Sequence, residues 1–253
     1  MLGDCLDTMR QMDDGCIDLT VTSPPYDNLR KYNGYCFDFE NIAKELYRTT
    51  KDGGIVVWIV GDATIKGSET GTSFRQALFF MDCGFNLHDT MIYEKDSSAF
   101  PAARGSKRYT QIFEYMFVFS KGKIRDNITL LCDKPNKWAG HTNWGNRTHY
   151  DKDGNLIKTG HIKHVPEFSL RNNIWKYSAR FNDKTGHPAV FPEQLAADHI
   201  LSWSNPGDVV FDPFMGSGTT AKMAMLNGRK FIGCEISEEY CNIIKERLDA
   251  IQS

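Results

Sequence analysis

The chain has 253 residues, 41% of them hydrophobic and 25% charged, with a formal net charge of −2. That is the length of one domain, or of one domain with a large insertion, and the composition excludes a disordered chain. No apolar run approaches the roughly 18 residues of a membrane-spanning helix, and Met1 to Arg10 hold no basic-then-apolar leader.

In chain order, Ile17–Thr22 (IDLTVT) is predicted as a buried strand that ends at Ser23-Pro24-Pro25-Tyr26. Phe39, Ile42, Ala43 and Leu46 follow the helical i, i+3, i+4, i+7 spacing. Asp52-Gly53-Gly54 is expected to break that helix ahead of the apolar strand Ile55–Val60. A helix at Ser73–Met81 and strands at Phe85–Tyr93 and Phe113–Phe119 follow. From Gly122 to His187 the periodicity fades. Order returns with a helix at Pro192–Trp203, strand Asp208–Phe211, helix Gly216–Leu226, strand Lys230–Glu235 and helix Ser237–Ile251. Strands read as unbroken apolar runs alternating with helices indicate an α/β fold whose mostly parallel sheet is covered on both faces.

The net charge hides a division. Lys95 to His187 carries 17 Lys and Arg against 8 Asp and Glu, while the remainder has 13 against 24. A basic middle in an acidic body fits either a polyanion-binding insertion or a solvated lysine-rich region. Seven cysteines without a Cys-x-x-Cys pair read as buried thiols of a reduced, intracellular protein. Cys132, His141, His149, His161 and His164 lack paired ligand spacing, so no metal is expected. Trp138, Trp144 and Trp175 read as residues of a small core, and His199 as a core histidine.

Two motifs carry chemistry. Asp212-Pro213-Phe214-Met215-Gly216-Ser217-Gly218-Thr219-Thr220 follows a strand and opens a helix, the setting of a nucleotide-binding turn in which glycines admit a ligand and a helix N-terminus offers free N–H groups. Glu235 follows 23 residues after Asp212, one β-α-β step on, where a carboxylate can accept from two ribose hydroxyls. In the second motif, Thr22-Ser23-Pro24-Pro25-Tyr26, two prolines fix the backbone and remove two donors, leaving carbonyls free. Ser23 Oγ is a further acceptor there and Tyr26 a stacking face. Asp62, at the end of Ile55–Val60-Gly61, is either a site residue or a helix cap, and Phe74 either lies near a ligand held by the nucleotide-binding turn or packs in the core.

Together these motifs resemble those of the DNA amino-methyltransferases, which methylate N6 of adenine or N4 of cytosine with S-adenosylmethionine. TSPPY is similar to that family's catalytic motif and DPFMGSGTT to its cofactor motif. His187-Pro188-Ala189 with Phe191, Pro192 and Leu195 resembles the segment lining the methionine side of the cofactor. Gly3-Asp4-Cys5 resembles the short GDC on the adenine side. The likeness spans residues 1–120 and 188–253. The family pattern has a strand ahead of GDC, whereas this chain begins Met1-Leu2; either the sheet lacks that strand or the reading frame is trimmed, and the cofactor affinity is what this bears on. The catalytic motif precedes the cofactor motif, as in the family's β-type permutation, whose intervening segment recognises the target. That order tells against the related RNA and protein amide methyltransferases, and the intact motifs tell against an inactive DNA-binding relative.

The resemblance implies a Rossmann-like methyltransferase fold in three parts: a catalytic half (1–121), a basic target-recognition insertion (122–186) and a cofactor-binding half (187–253). It assigns Ser23, Pro24, Pro25 and Tyr26 to catalysis. It assigns Asp4, Cys5, Phe191, Asp212, Pro213, Phe214, Gly216, Gly218, Thr219 and Glu235 to the cofactor, S-adenosyl-L-methionine. Arg104, Lys107, Arg108, Arg147 and Arg171 are expected to contact double-stranded DNA. Many family members have Asp where Ser23 stands, and serine is more frequent in the cytosine-N4 enzymes, which favours N4-cytosine over N6-adenine. A bacterial or phage-encoded cytoplasmic enzyme follows, without membrane contact, open to homodimerisation and to a separately encoded cognate restriction enzyme.

Overall fold

The computed structural model describes residues 1–25, 37–97, 102, 104–105, 107–141, 147–159, 164–178 and 192–252. In chain order the elements are α1 (Cys5–Met9), β1 (Ile17–Thr22), α2 (Phe39–Thr49), β2 (Thr50–Val60), β3 (Thr64–Ile65), β4 (Ser68–Glu69), α3 (Thr72–Asp82), β5 (Asn86–Lys95), β6 (Phe113–Ser120), β7 (Lys134–Pro135), β8 (Arg147–Tyr150), β9 (Leu156–Thr159), β10 (Phe168–Ser169), β11 (Ile174–Tyr177), α4 (Glu193–Trp203), β12 (Val209–Asp212), α5 (Thr219–Leu226), β13 (Lys230–Gly233) and α6 (Glu238–Gln252). They fall into two compact units, Met1–Thr129 with Asn173–Ser253, and Leu130–Asn172.

In the first unit the described residues form a seven-stranded sheet in the order β11-β5-β6-β2-β1-β12-β13. All pairings are parallel except those of β6, which runs against both β2 and β5. Every side chain of β1 is buried, because alternate residues of a central strand meet helices on opposite faces. Val56, Trp58 and Val60 of β2 join Cys5, Leu6, Met9, Ile42, Leu46 and Phe80 of α1, α2 and α3 in one core. The alternate residues Ile55, Val57 and Ile59 are equally buried, and α4 packs against β1. Each such side chain contributes about 1.5–3 kcal/mol. Trp58, the largest, keeps its indole satisfied by donating Nε1–H to Gln76 Oε1 at 2.8 Å.

One sequence expectation changes in this sheet. Asp52-Gly53-Gly54 does not separate helix from strand: α2 ends at Thr49, and the three residues form an irregularity inside β2, between the pairings Ile17↔Thr50 and Leu19↔Ile55. A Cβ on Gly54 would lie 2.8 Å from Thr50 Cγ2 and 2.9 Å from Lys51 O, so only glycine fits. The second compact unit spans Leu130–Asn172, and β11 pairs with β5 at the sheet edge of the first. At the chain start Leu2 forms an isolated parallel bridge with Glu235, supported by Gly3 N→Glu235 O (2.9 Å) and Glu235 N→Met1 O (3.0 Å).

The second unit holds the antiparallel pairs β7–β10 and β8–β9. Its two ends meet, with Arg171 N donating to Leu131 O (3.0 Å) and the Arg171 guanidinium to Asp133 (Nε→Oδ1, 3.0 Å). That pairing holds the Asp133 carboxyl below its ordinary range.

Candidate active site

The two motifs share one seam. β1 and β12 are parallel neighbours, with Leu19 opposite Val210 and Thr20 opposite Phe211, so the turns that follow them leave the same edge of the sheet. Thr22 Oγ1, the last residue of β1, donates to Asp212 Oδ1, the last residue of β12, at 2.6 Å. The same Oδ1 accepts Phe214 N at 3.0 Å, and Thr220 Oγ1 donates to Val21 O at 3.2 Å. Asp212 is 1% exposed. Burial pushes its carboxyl up to about 6, with the nearby Glu235 charge acting in the same direction and the Thr22 and Phe214 hydrogen bonds opposing. Asp212 is therefore the joint between the motifs, a buried carboxylate held by donors from both.

Beyond Asp212 the chain turns through two left-handed glycines, Gly216 (φ +53°) and Gly218 (φ +84°), and enters α5 at Thr219. A Cβ on Gly218 would stand 2.9 Å from Ile244 Cγ1 of α6, so α6 closes one side of the turn. Glu235 closes another: its Oε2 accepts Gly216 N at 2.8 Å and its Oε1 accepts Ser237 N at 2.9 Å. Its carboxylate thus braces the turn while each oxygen keeps lone-pair capacity for a further donor. The buried Thr219 Oγ1 has no hydrogen-bond partner among the described residues, and the first N–H groups of α5 have none within the helix. An orphaned hydroxyl, free amides and a bracing carboxylate around a glycine turn fit a nucleoside-bearing ligand.

Of the residues expected to be catalytic, Pro24 is buried and Ser23 and Pro25 are half-buried directly after β1. Tyr26 lies outside the described residues, as does Phe191. Asp4 caps α1, accepting Leu6 N at 2.7 Å, and Cys5 packs in the core; the Gly3–Glu235 bond sets both beside the end of β13. Pro213 is buried, and Phe214 packs on Phe37 and Trp58, ring centroids 5.6 and 6.3 Å away. Asp62 serves as a cap: it accepts Ser73 N (3.0 Å) and Ser73 Oγ (2.5 Å) at the start of α3. Phe74 does not pack in the core; it is 51% exposed, beside Tyr115. His199 is a core histidine, with Nε2 3.2 Å from Met116 Sδ and its ring 4.6 Å from that of the buried Trp175.

Among the DNA-binding candidates, Arg104 and Lys107 are exposed. Arg108 is engaged by Glu69 (3.3 Å) and the Gly67 carbonyl, and Arg171 by Asp133. Arg147 lies on β8. Sequence reasoning missed the Thr22–Asp212 bond and the ion-pair group of Glu193, Lys222 and Arg247 around Ser217. Their partners are 29 to 190 residues apart, and no local spacing connects them.

A mostly parallel sheet with a Ser-Pro-Pro turn and a glycine turn on adjacent strand ends defines a nucleotide-type α/β site. The family model for DNA methylases matches residues 17–246, and the chain belongs to that N4/N6 DNA amino-methyltransferase family. It is 61% identical over 242 residues to the orphan methyltransferase M.BamHII of Bacillus amyloliquefaciens, covering 93% of this chain and 89% of that protein. The fold is similar to that of the PvuII DNA methyltransferase (cytosine-N4-specific), with a TM-score of 0.72 at 22% identity over 97% of this chain and 84% of that one. It is also similar to M1.HpyAVI in its complex with SAM, with a TM-score of 0.64 at 22% identity over 98% and 97%.

Proposed function

We propose that this DNA methyltransferase moves the methyl group of S-adenosyl-L-methionine to the exocyclic amino group of a base extruded from double-stranded DNA, with N4 of cytosine favoured over N6 of adenine. The observation that carries the reading is the Thr22–Asp212 bond, which fixes the Ser23-Pro24-Pro25 turn beside the glycine turn. Gly216, Gly218, Thr219 and Glu235 would hold the cofactor, with Asp4 and Cys5 toward its adenine and Phe191 toward its methionine. When bound, it supplies a methyl group made electrophilic by a sulfonium charge.

The acceptor nitrogen is a poor nucleophile because its lone pair is delocalised into the ring. Ser23 Oγ and the Pro24 carbonyl accept its two N–H bonds and so direct the lone pair out of the ring plane. Pro24 and Pro25 hold those acceptors rigid without competing donors, and placement of this kind supplies much of the rate. Tyr26 stacks on the extruded base, worth about 1–3 kcal/mol against the unstacking cost. Ser23 is a neutral acceptor where many relatives carry a carboxylate, and this supports the choice of cytosine.

The basic region reads the target, with Arg104 and Lys107 free to meet phosphates and Arg147 on β8 beside them in role. Arg108 and Arg171 contact DNA only by exchanging a carboxylate for a phosphate. The same reading takes the protein to act in a bacterial cytoplasm, as a solitary enzyme or beside a separately encoded restriction enzyme; no helix among the described residues is long and apolar enough to cross a membrane. A homodimer through α3 belongs to it. Phe74, Leu78 and Met81 (51%, 61% and 44% exposed) form one outward stripe flanked by the exposed Arg75 and Asp82. An antiparallel twofold pairing sets each Arg75 against the partner copy's Asp82.

The test is to incubate the protein with S-adenosylmethionine and unmethylated DNA, digest to nucleosides and identify the product by mass spectrometry. N4-methylcytosine is expected. N6-methyladenine would overturn the choice of base, and labelling of RNA alone would overturn the substrate class.

A further inference from the structure

At the glycine turn, Arg247 reaches Ser217 and shares Glu193 Oε1 with Lys222, so that three charged residues from three helices form one group. Arg247 of α6, its side chain 17% exposed, donates Nη1–H to Ser217 O at 2.5 Å and to Ser217 Oγ at 3.0 Å. Its Nη2 donates to Glu193 Oε1 in the first turn of α4 at 2.7 Å, and Lys222 Nζ of α5 donates to the same oxygen at 2.6 Å. Ile244, one turn earlier on α6, lies against Gly218.

We infer that Arg247, anchored by Glu193, is a positioning residue for the cofactor. It fixes the Ser217–Gly218 peptide and thereby the orientation of the turn that receives S-adenosylmethionine. The inference rests on the reading of that turn as the cofactor site. Gly216 and Gly218 both have positive φ and carry no side chain to restrain them. The Ser217 carbonyl and the Gly218 N–H belong to one rigid peptide plane. Holding the carbonyl against Arg247 points the N–H the opposite way, to Met215 O at 2.9 Å. A guanidinium can hold Ser217 and Glu193 at once because its donors form a planar fork; an ammonium cannot reproduce that geometry. The pairs sit near the surface, since the Glu193 side chain is 42% exposed, so their share of global stability is small. Their effect falls on placement, to which transfer rates and ligand affinity respond steeply.

The experiment compares Arg247→Ala, Arg247→Lys, Glu193→Gln and the double variant Arg247→Ala/Glu193→Gln on the full chain. It measures the Kd and KM for S-adenosylmethionine, the KM for DNA, kcat and Tm. Arg247→Ala is expected to raise the cofactor Kd and KM about tenfold, leave the DNA KM within about twofold, and shift Tm by no more than about 2 °C. Arg247→Lys is expected to recover only a minor part of the loss. The double variant should be no worse than Arg247→Ala alone, because both act through one group. A cofactor KM that stays put while kcat falls in step with Tm would overturn the inference, as would full recovery by lysine. Glu235→Ala, measured alongside, separates two failures. If it weakens cofactor binding and Arg247→Ala does not, only the positioning role is wrong; if neither does, the turn is not the cofactor site.

Discussion

Asp212→Asn is the substitution with the most directly calculable consequence. Asp212 is fully buried, and its carboxyl is raised from an ordinary 3.8 to about 6, mainly by burial. Above pH 6 the folded protein therefore carries an ionised group in a place that disfavours charge. Between the two values the folded chain holds a proton that the unfolded chain has released, so this group's contribution to stability rises as pH falls from 6 toward 4 and is flat above 6. The full difference is about 3 kcal/mol, of which about 2 kcal/mol is realised by pH 4.5. Asparagine keeps Oδ1 as acceptor for Thr22 and Phe214, and its amide can donate to Thr220 Oγ1, whose hydroxyl already donates to Val21 O. The variant is therefore expected to be more stable than wild type at pH 8 by up to about 3 kcal/mol. That advantage should shrink by about 2 kcal/mol at pH 4.5, read from urea unfolding at both pH values. A stability difference that does not change with pH would refute the picture of a charge held against its burial.

Three other outcomes follow from the same geometry. Thr22→Val removes the donor joining the motifs and leaves Asp212 underpaired; urea unfolding at pH 8 should show a loss of about 1–3 kcal/mol, smaller at pH 5 where the carboxyl is neutral. Gly218→Ala meets both the positive φ and Ile244, whereas Gly228→Ala has a similar φ (+73°) with open space around it. Thermal unfolding should therefore show a larger loss for Gly218→Ala, and only that variant should weaken S-adenosylmethionine binding by calorimetry. For the α3 pairing, Arg75→Asp and Asp82→Arg should each reduce the dimer seen by light scattering, and the double exchange should restore it; a wild type that stays monomeric at all concentrations ends that proposal.

Where a segment's own side chains decide its state, the sequence was a good guide. β1 runs over Ile17–Thr22 as its apolar run indicates, and α2 and α3 extend their predicted spans by three residues or fewer at each end. α1 escaped notice because five residues show barely more than one helical period, and it is fixed by the Asp4 cap and by burial of Leu6 and Met9. β11 escaped because IWKY is a short run in polar surroundings whose strand state comes from pairing with β5, some 80 residues earlier. At the site, the motif residues announced themselves through glycine, proline and carboxylate at informative positions. What they do to one another did not. Glu235 reads from the sequence as a ligand-facing acid, whereas its two hydrogen bonds to the turn, like the Asp212 joint, depend on strands brought together only in the fold.

The meeting of the two ends of Leu130–Asn172 has a consequence for how such a chain can diversify. Arg171 pins the outgoing strand of residues to Leu131 and Asp133, so the segment is tied off at its own neck. Beyond that knot its contents can be lengthened, shortened or exchanged at a closure cost of only about 0.6 kcal/mol per doubling of length. The strands that hold Ser23, Asp212 and Glu235 need not register the change. Arg171 and Asp133 act as a clasp that keeps the two ends of this segment together whatever its length.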